Sequence, residues 1–114
     1  MRLTSDFWVS ALTRRVFDRG GFAAVVRRGA TEAGAIFLIV RERTGTVTLF
    51  GPAPQTSYDD TKPQERVFTQ VLSTEDDGLV ADRIARESRF DPDLWLVELE
   101  TDIDVEDLIS LTKP

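Results

Sequence analysis

The sequence predicts an α/β fold, a mixed and mainly antiparallel sheet of about five strands with helices on both faces. Three observations lead there. Two segments carry apolar residues at the helical period, between Asp6 and Arg19 and between Glu75 and Arg89. Five short apolar runs are separated by turn residues. One of these runs, Ala35 to Val40, has no polar alternation at all, so it needs cover on two sides and belongs in mid-sheet. A two-layer α+β arrangement with both helices on one face is the alternative. A chain of 114 residues is long enough for one core and too short for two, so residues 1–114 are expected to form a single domain.

The first helix is expected over Asp6 to Arg19, with Thr4 or Ser5 as N-cap, Asp6 at the positive pole and Gly20-Gly21 as the stop. Trp8, Val9, Leu12 and Val16 form its apolar arc, while Phe7, Ala11 and Phe17 fall outside. That surplus of apolar surface points to further cover or to a partner. Phe22 to Val26 is the first strand, Ala35 to Val40 the second and Val47 to Phe50 the third. The turns at Gly29 to Gly34 and Arg43 to Thr46 join them into an expected antiparallel meander.

Residues 51–63 hold three prolines among turn formers and read as a long loop. A fourth strand is expected over Arg66 to Leu72. The second helix follows, capped by Ser73 or Thr74, acidic in its first turn and basic in its last. Val80, Ala81, Ile84 and Ala85 make its apolar stripe, and Asp82 and Arg86 are spaced for an ion pair. Asp91-Pro92-Asp93 breaks the helix and Leu94 to Glu100 is the fifth strand. A strand, helix and strand in succession imply a crossover between parallel strands. Val105 to Leu111, capped by Asp104, reads as a closing helical turn.

The chain contains no histidine and no cysteine. Imidazole and thiol catalysis, zinc sites with nitrogen or sulfur ligands, and disulfides are therefore excluded. Carboxylate, arginine, hydroxyl and backbone chemistry remain. The net charge of −6 disfavours nucleic acid as a partner. Charge is unevenly distributed. Up to Arg43 eight arginines face four acids, a balance of +4, and the remainder has six bases against sixteen acids, a balance of −10. The halves either compensate within one domain or offer a basic patch and complementary faces for association. Arg14 and Arg15, with Arg27 and Arg28, would form that patch. No apolar stretch is long enough to span a membrane and no signal-peptide core is present, which fits the cytoplasm.

Three further groups bear on chemistry. Glu98, Glu100, Asp102 and Asp104 share parity, so a strand running through all four would align four carboxylates on one face, where a magnesium or calcium ion would relieve their repulsion. A solvated acidic face is the plainer reading, and no complete EF-hand pattern is present. In the long loop Gln55, Tyr58 and Asp59 are candidates to contact a ligand or partner. Trp8 and Trp95 are spaced as core residues. No motif implies a cofactor.

The strings RLTSDFWVSALTRRVF, GGFAAVVRRGATEAGAIFLIVRER, LFGPAPQTSYDD and ESRFDPDLWLVELE together resemble a family of small bacterial proteins, domain of unknown function 1491. The resemblance spans essentially the whole chain. It implies a bacterial cytoplasmic single-domain protein and brings no assigned reaction, cofactor or catalytic residue. The leading expectation is a non-catalytic interaction or regulatory module, with self-association through the surplus apolar face of the first helix as one form of it. The alternative is a small ligand-binding protein or carboxylate-based enzyme, dependent on magnesium or calcium.

Overall fold

The computed structural model describes residues 3–54 and 66–112. Helix α1 (Ser5–Asp18) is followed by strands β1 (Phe22–Arg27), β2 (Ile36–Arg41), β3 (Val47–Pro52) and β4 (Val67–Thr74). Helix α2 (Asp77–Phe90), strand β5 (Trp95–Glu100), a 3-10 turn (Val105–Asp107) and strand β6 (Ser110–Leu111) complete the chain order. The six strands form one sheet in the order β1-β5-β2-β3-β4-β6. Antiparallel pairing joins β1 to β5, β2 to β3 and β3 to β4; β2 and β5 run parallel, as do β4 and β6. The sheet is therefore mixed, with one short strand more than the sequence announces.

The two helices lie on opposite faces, as the unbroken run in β2 requires. Alternation sends Ile36, Leu38 and Val40 to one side, where they pack with Val9, Leu12 and Val16 of α1 and with Trp95, Val97 and Leu99 of β5. Phe37 and Ile39 point the other way and meet Leu49, Leu96 and Val80, with Ile84 of α2 against them. Of the expected stripe on α2, Ala81 and Ala85 remain exposed, because only one narrow face of that helix touches the sheet. The ion pair along α2 is Arg83–Glu87, one residue on from the pair expected.

The expected meander is overturned. β2 is flanked by β3 and β5, and among the described residues β1 pairs with β5 alone. Burial explains the exchange. Leu94 through Val97 are all buried, whereas β1 offers two alanines and leaves Phe22, Val25 and Val26 exposed, so the slot beside β2 removes more apolar surface from water when β5 fills it. The connection between β1 and β2 makes room for the intruding strand. A Cβ at Gly29 or Gly34 would collide with the Asp93 carbonyl oxygen, so glycine lets this segment pass against the entry to β5. The Ala30 amide donates to Asp93 O (2.9 Å), the Trp95 amide to Ala35 O (2.7 Å) and the Trp95 indole to Ala30 O (2.8 Å).

The crossover from β4 through α2 to β5 joins strands of the same direction, as expected, and lays α2 over the intervening β3 and β2. Thr4 is the N-cap of α1, its hydroxyl accepting from the Phe7 amide (3.2 Å). Ser5 lies inside the helix, fully buried, and donates to Gly34 O (2.6 Å), tying α1 to the turn before β2. For α2 the cap is Asp76 and not Ser73 or Thr74, because β4 continues through Thr74. Past the 3-10 turn, where a helical turn was expected to run on to Leu111, the backbone extends and pairs with Val67 and Phe68.

The basic and acidic parts of the chain are interleaved. Arg41 pairs with Glu98 and Asp77, Arg43 with Asp102 and Arg28 with Asp6. Among the described residues no helix is long and apolar enough to cross a membrane.

Candidate functional site

Parallel strands β2 and β5 end side by side at Arg41 and Glu100. Ligands of α/β sheets collect outside such carboxyl ends, where the chain departs in different directions. Here the space is a cleft of about 550 Å³ bordered by Arg19 and Gly21 after α1, Arg41 and Arg43 after β2, and Glu100 and Asp102 after β5. The Arg43–Asp102 pair (2.8 Å) separates it from a second depression of about 620 Å³ that reaches Thr48, Gln70 and Asp104. Both members of that pair are largely exposed, so it contributes at most a few tenths of a kcal/mol.

Arg41 is the most constrained charge in this region. It leaves β2 on the α2 side of the sheet and is held by Glu98 on β5 and by Asp77 at the start of α2 (2.6 Å). Hydrogen bonding to Glu98 first, and to Asp77 second, raises the guanidinium pKa above its ordinary value against a smaller effect of burial. A raised pKa makes the contribution of Arg41 complete below the unfolded value, so this clamp is permanently charged at any ordinary pH.

The expected alignment of carboxylates does not form. β5 stops at Glu100, and alternation ends there. Glu98 is committed to Arg41, Asp102 to Arg43, and Asp104 caps the 3-10 turn by accepting from the Glu106 amide (3.4 Å). Glu100 is exposed and has no ion-pair partner among the described residues. No group of three metal-ligating side chains converges among the described residues.

Nor do the four arginines collect into a patch. Arg15 donates to Leu108 O (3.0 Å), and Arg14 is exposed nearby on α1. Arg28 lies at the other end of that helix, on Asp6 (2.7 Å) and over the Trp95 ring (4.9 Å), while Arg27 donates to Pro92 O (2.8 Å). Asp6 and Arg14 are eight residues apart on one helix, about 12 Å by its rise. Gln55, Tyr58 and Asp59 lie outside the described residues.

A second surface was legible in part. Phe7 and Phe17, outside the apolar arc of α1, are exposed (60 % and 55 %). Phe17 meets the ring of Phe22 on β1 at 5.8 Å, and beside them Val25 and Val26 are also exposed. β1 is an edge strand, and nothing among the described residues pairs with its outer side. Sequence reasoning put β1 inside a meander and so missed that its apolar run borders solvent. The two adjacent alanines, too small for a central strand to cover much area, were the available signal.

The fold and its surfaces define a small mixed-sheet protein with helices on both faces, an open apolar edge and a shallow charged cleft. The chain belongs to the family described as protein of unknown function (DUF1491), whose model matches residues 3–109. It is similar to the protein Atu0922 from A. tumefaciens, whose solution structure is 48% identical with a TM-score of 0.85, covering 100% of this chain and 98% of that one. A DUF1491 family protein from Caulobacter crescentus CB15 is similar in its NMR structure (34% identity, TM-score 0.77, 99% of each chain). A crystal structure of a DUF1491 family protein from the same organism matches at 36% identity and TM-score 0.72, covering 89% of this chain and 88% of that one. No curated protein matches.

Proposed function

We propose that this protein is a non-catalytic interaction or regulatory module, a single domain of the bacterial cytoplasm, that docks through the flank formed by β1 and the adjoining side of α1. One observation carries the reading. Phe22, Val25 and Val26 are exposed on an edge strand whose outer side nothing among the described residues pairs, with Phe17 of α1 against Phe22, and apolar exposure gathered in this way marks an interaction site. The relatives from A. tumefaciens and Caulobacter crescentus support the bacterial setting. The test is retention. Immobilised protein is expected to hold either free copies of itself or a defined protein from cell extract, and Val26→Glu is expected to lose it while Phe90→Glu, on another exposed apolar residue, does not. A chain that retains nothing, or one for which both variants behave alike, overturns the docking role.

The second reading is a ligand-binding protein or carboxylate enzyme at the cleft between the ends of β2 and β5, favoured by Glu100 there, which has no ion-pair partner among the described residues. Arginine pairing of Glu98 weighs against its cation-dependent form, since that carboxylate is already held by Arg41. A rise in melting temperature with millimolar magnesium or calcium, lost in Glu98→Gln with Glu100→Gln, would establish that form. No shift removes it.

A further inference from the structure

We infer that the occupant of the β1 edge is a second copy of this chain, added strand to strand in antiparallel sense about a twofold axis through Ala24. The inference rests on the docking reading above and names its partner.

An edge strand presents a row of backbone donors and acceptors that another strand satisfies, and natural edges are normally blunted by lysine, proline, charge or cover. β1 has no lysine, proline or acid anywhere along Phe22–Arg27. Its blunting features are the charge of Arg27 at its end and the bulge between Val25 and Arg27, which confines regular pairing to the first four residues.

Within those four the side chains are arranged to meet themselves. Register with β5 sends Ala23 and Val25 to the face of α1, with Leu99 and Val97, and sends Ala24 to the opposite face, with Glu98, while the ring of Phe22 at the start of the strand lies against Phe17 of α1. A twofold axis normal to the sheet matches like faces, and an antiparallel pair places residues of the same face opposite one another. Centring on Ala24 sets Ala23 against the partner's Val25 and Ala24 against its own copy, all within the regularly paired residues. The small residue is on the axis and the exposed Val25 is covered. Centring on Ala23 would instead put Val25 opposite Gly21, leaving Val25 in water.

Charge selects the same sense. Arg27 ends the strand on the face that carries Leu96, and Glu100 lies on that face at the Phe22 end, where Asp18 is also exposed beside Arg19. Antiparallel addition brings each Arg27 toward the other copy's Glu100, with guanidinium donors to spare beyond the one given to Pro92 O. Parallel addition would set Arg27 and Arg28 against their own copies. On the α1 face Ser10 and Thr13 are small side chains on the flank that ends in Phe17, so two helices can approach without collision.

The chain has no cysteine, so a single introduced thiol reports one position. Directly opposed residues of antiparallel strands have Cα atoms about 4.5 to 5.5 Å apart, within disulfide range. Full-length Ala24→Cys, at ~100 μM with oxidised glutathione, is expected to form covalent dimer at least ~10-fold faster than Ala81→Cys on the exposed side of α2. Wild type is expected to sediment as a monomer–dimer equilibrium, shifted to monomer in Val25→Lys with its circular dichroism unchanged.

Equal crosslinking of the two cysteine variants, or a wild type that stays monomeric at ~1 mM, overturns self-pairing, the latter corresponding to less than about 4 kcal/mol of association. If that monomer still retains another protein through Val26, the docking role survives and only the identity of the partner is wrong. If it retains nothing, both fall.

Discussion

At one edge of the sheet β4 runs eight residues and carries Thr69, Gln70, Ser73 and Thr74; at the other β1 runs six and carries Phe22, Val25 and Val26 exposed. The first edge is partly covered as well. β6 pairs with Val67 and Phe68, and the Thr112 amide donates to Phe68 O (2.9 Å). Behind that cover Phe68 is buried and stacks at 5.3 Å on Trp8, so the end of the chain closes the core under α1. Among the described residues the second edge receives no such strand. Polar side chains and a short covering strand blunt the first edge, whereas apolar side chains line the second.

Four measurements sharpen or break this contrast. Phe68→Ala should be the most damaging, costing about 3 to 5 kcal/mol in urea unfolding because a fully enclosed ring leaves a cavity. A loss under about 1 kcal/mol would mean that the β4 edge is not closed as described. Gly29→Ala follows at about 2 kcal/mol or more, since its methyl group meets the Asp93 carbonyl and the turn carrying β1 past the entry to β5 must shift. An unchanged melting temperature would show that β5 does not depend on that close passage.

Thr112→Pro removes the donor to Phe68 O and should cost about 1 kcal/mol. Hydrogen exchange is the sharper readout, with faster exchange in β6 and the first residues of β4 and none of that acceleration in β1. Val26→Lys should change the monomer's unfolding free energy by less than about 0.5 kcal/mol, because the side chain is already more than half exposed, and the proposed docking role predicts that it weakens association. A large stability loss there would make β1 a core strand after all.

The main elements were readable to within a few residues, because each is announced by its own backbone period, whereas the two-residue β6 was not, its segment reading as a helical turn. Helix α1 was expected over Asp6 to Arg19 and spans Ser5–Asp18, and the unbroken apolarity of Ala35 to Val40 correctly put β2 between two layers. Surface chemistry was less legible. Glu98, Glu100, Asp102 and Asp104 share parity on paper, but parity has meaning only while a strand lasts, and β5 ends at Glu100. Which arginine each carboxylate would meet depended on residues more than fifty positions away, as Arg41 and Glu98 illustrate.

By itself, then, the order of residues determined the lengths and types of the main elements, the double-sided burial of β2 and the exclusion of imidazole and thiol chemistry. These follow from local periodicity and composition, which no folding partner alters. The tertiary structure alone decided that β5 would enter between β1 and β2, that β6 would close the far edge, and that β1 would be left facing water. Any strand edge offers the same backbone hydrogen bonds, so the choice among partners fell to which arrangement buried Trp95, Leu96, Val97 and Leu99 most completely. Only the assembled core makes that comparison.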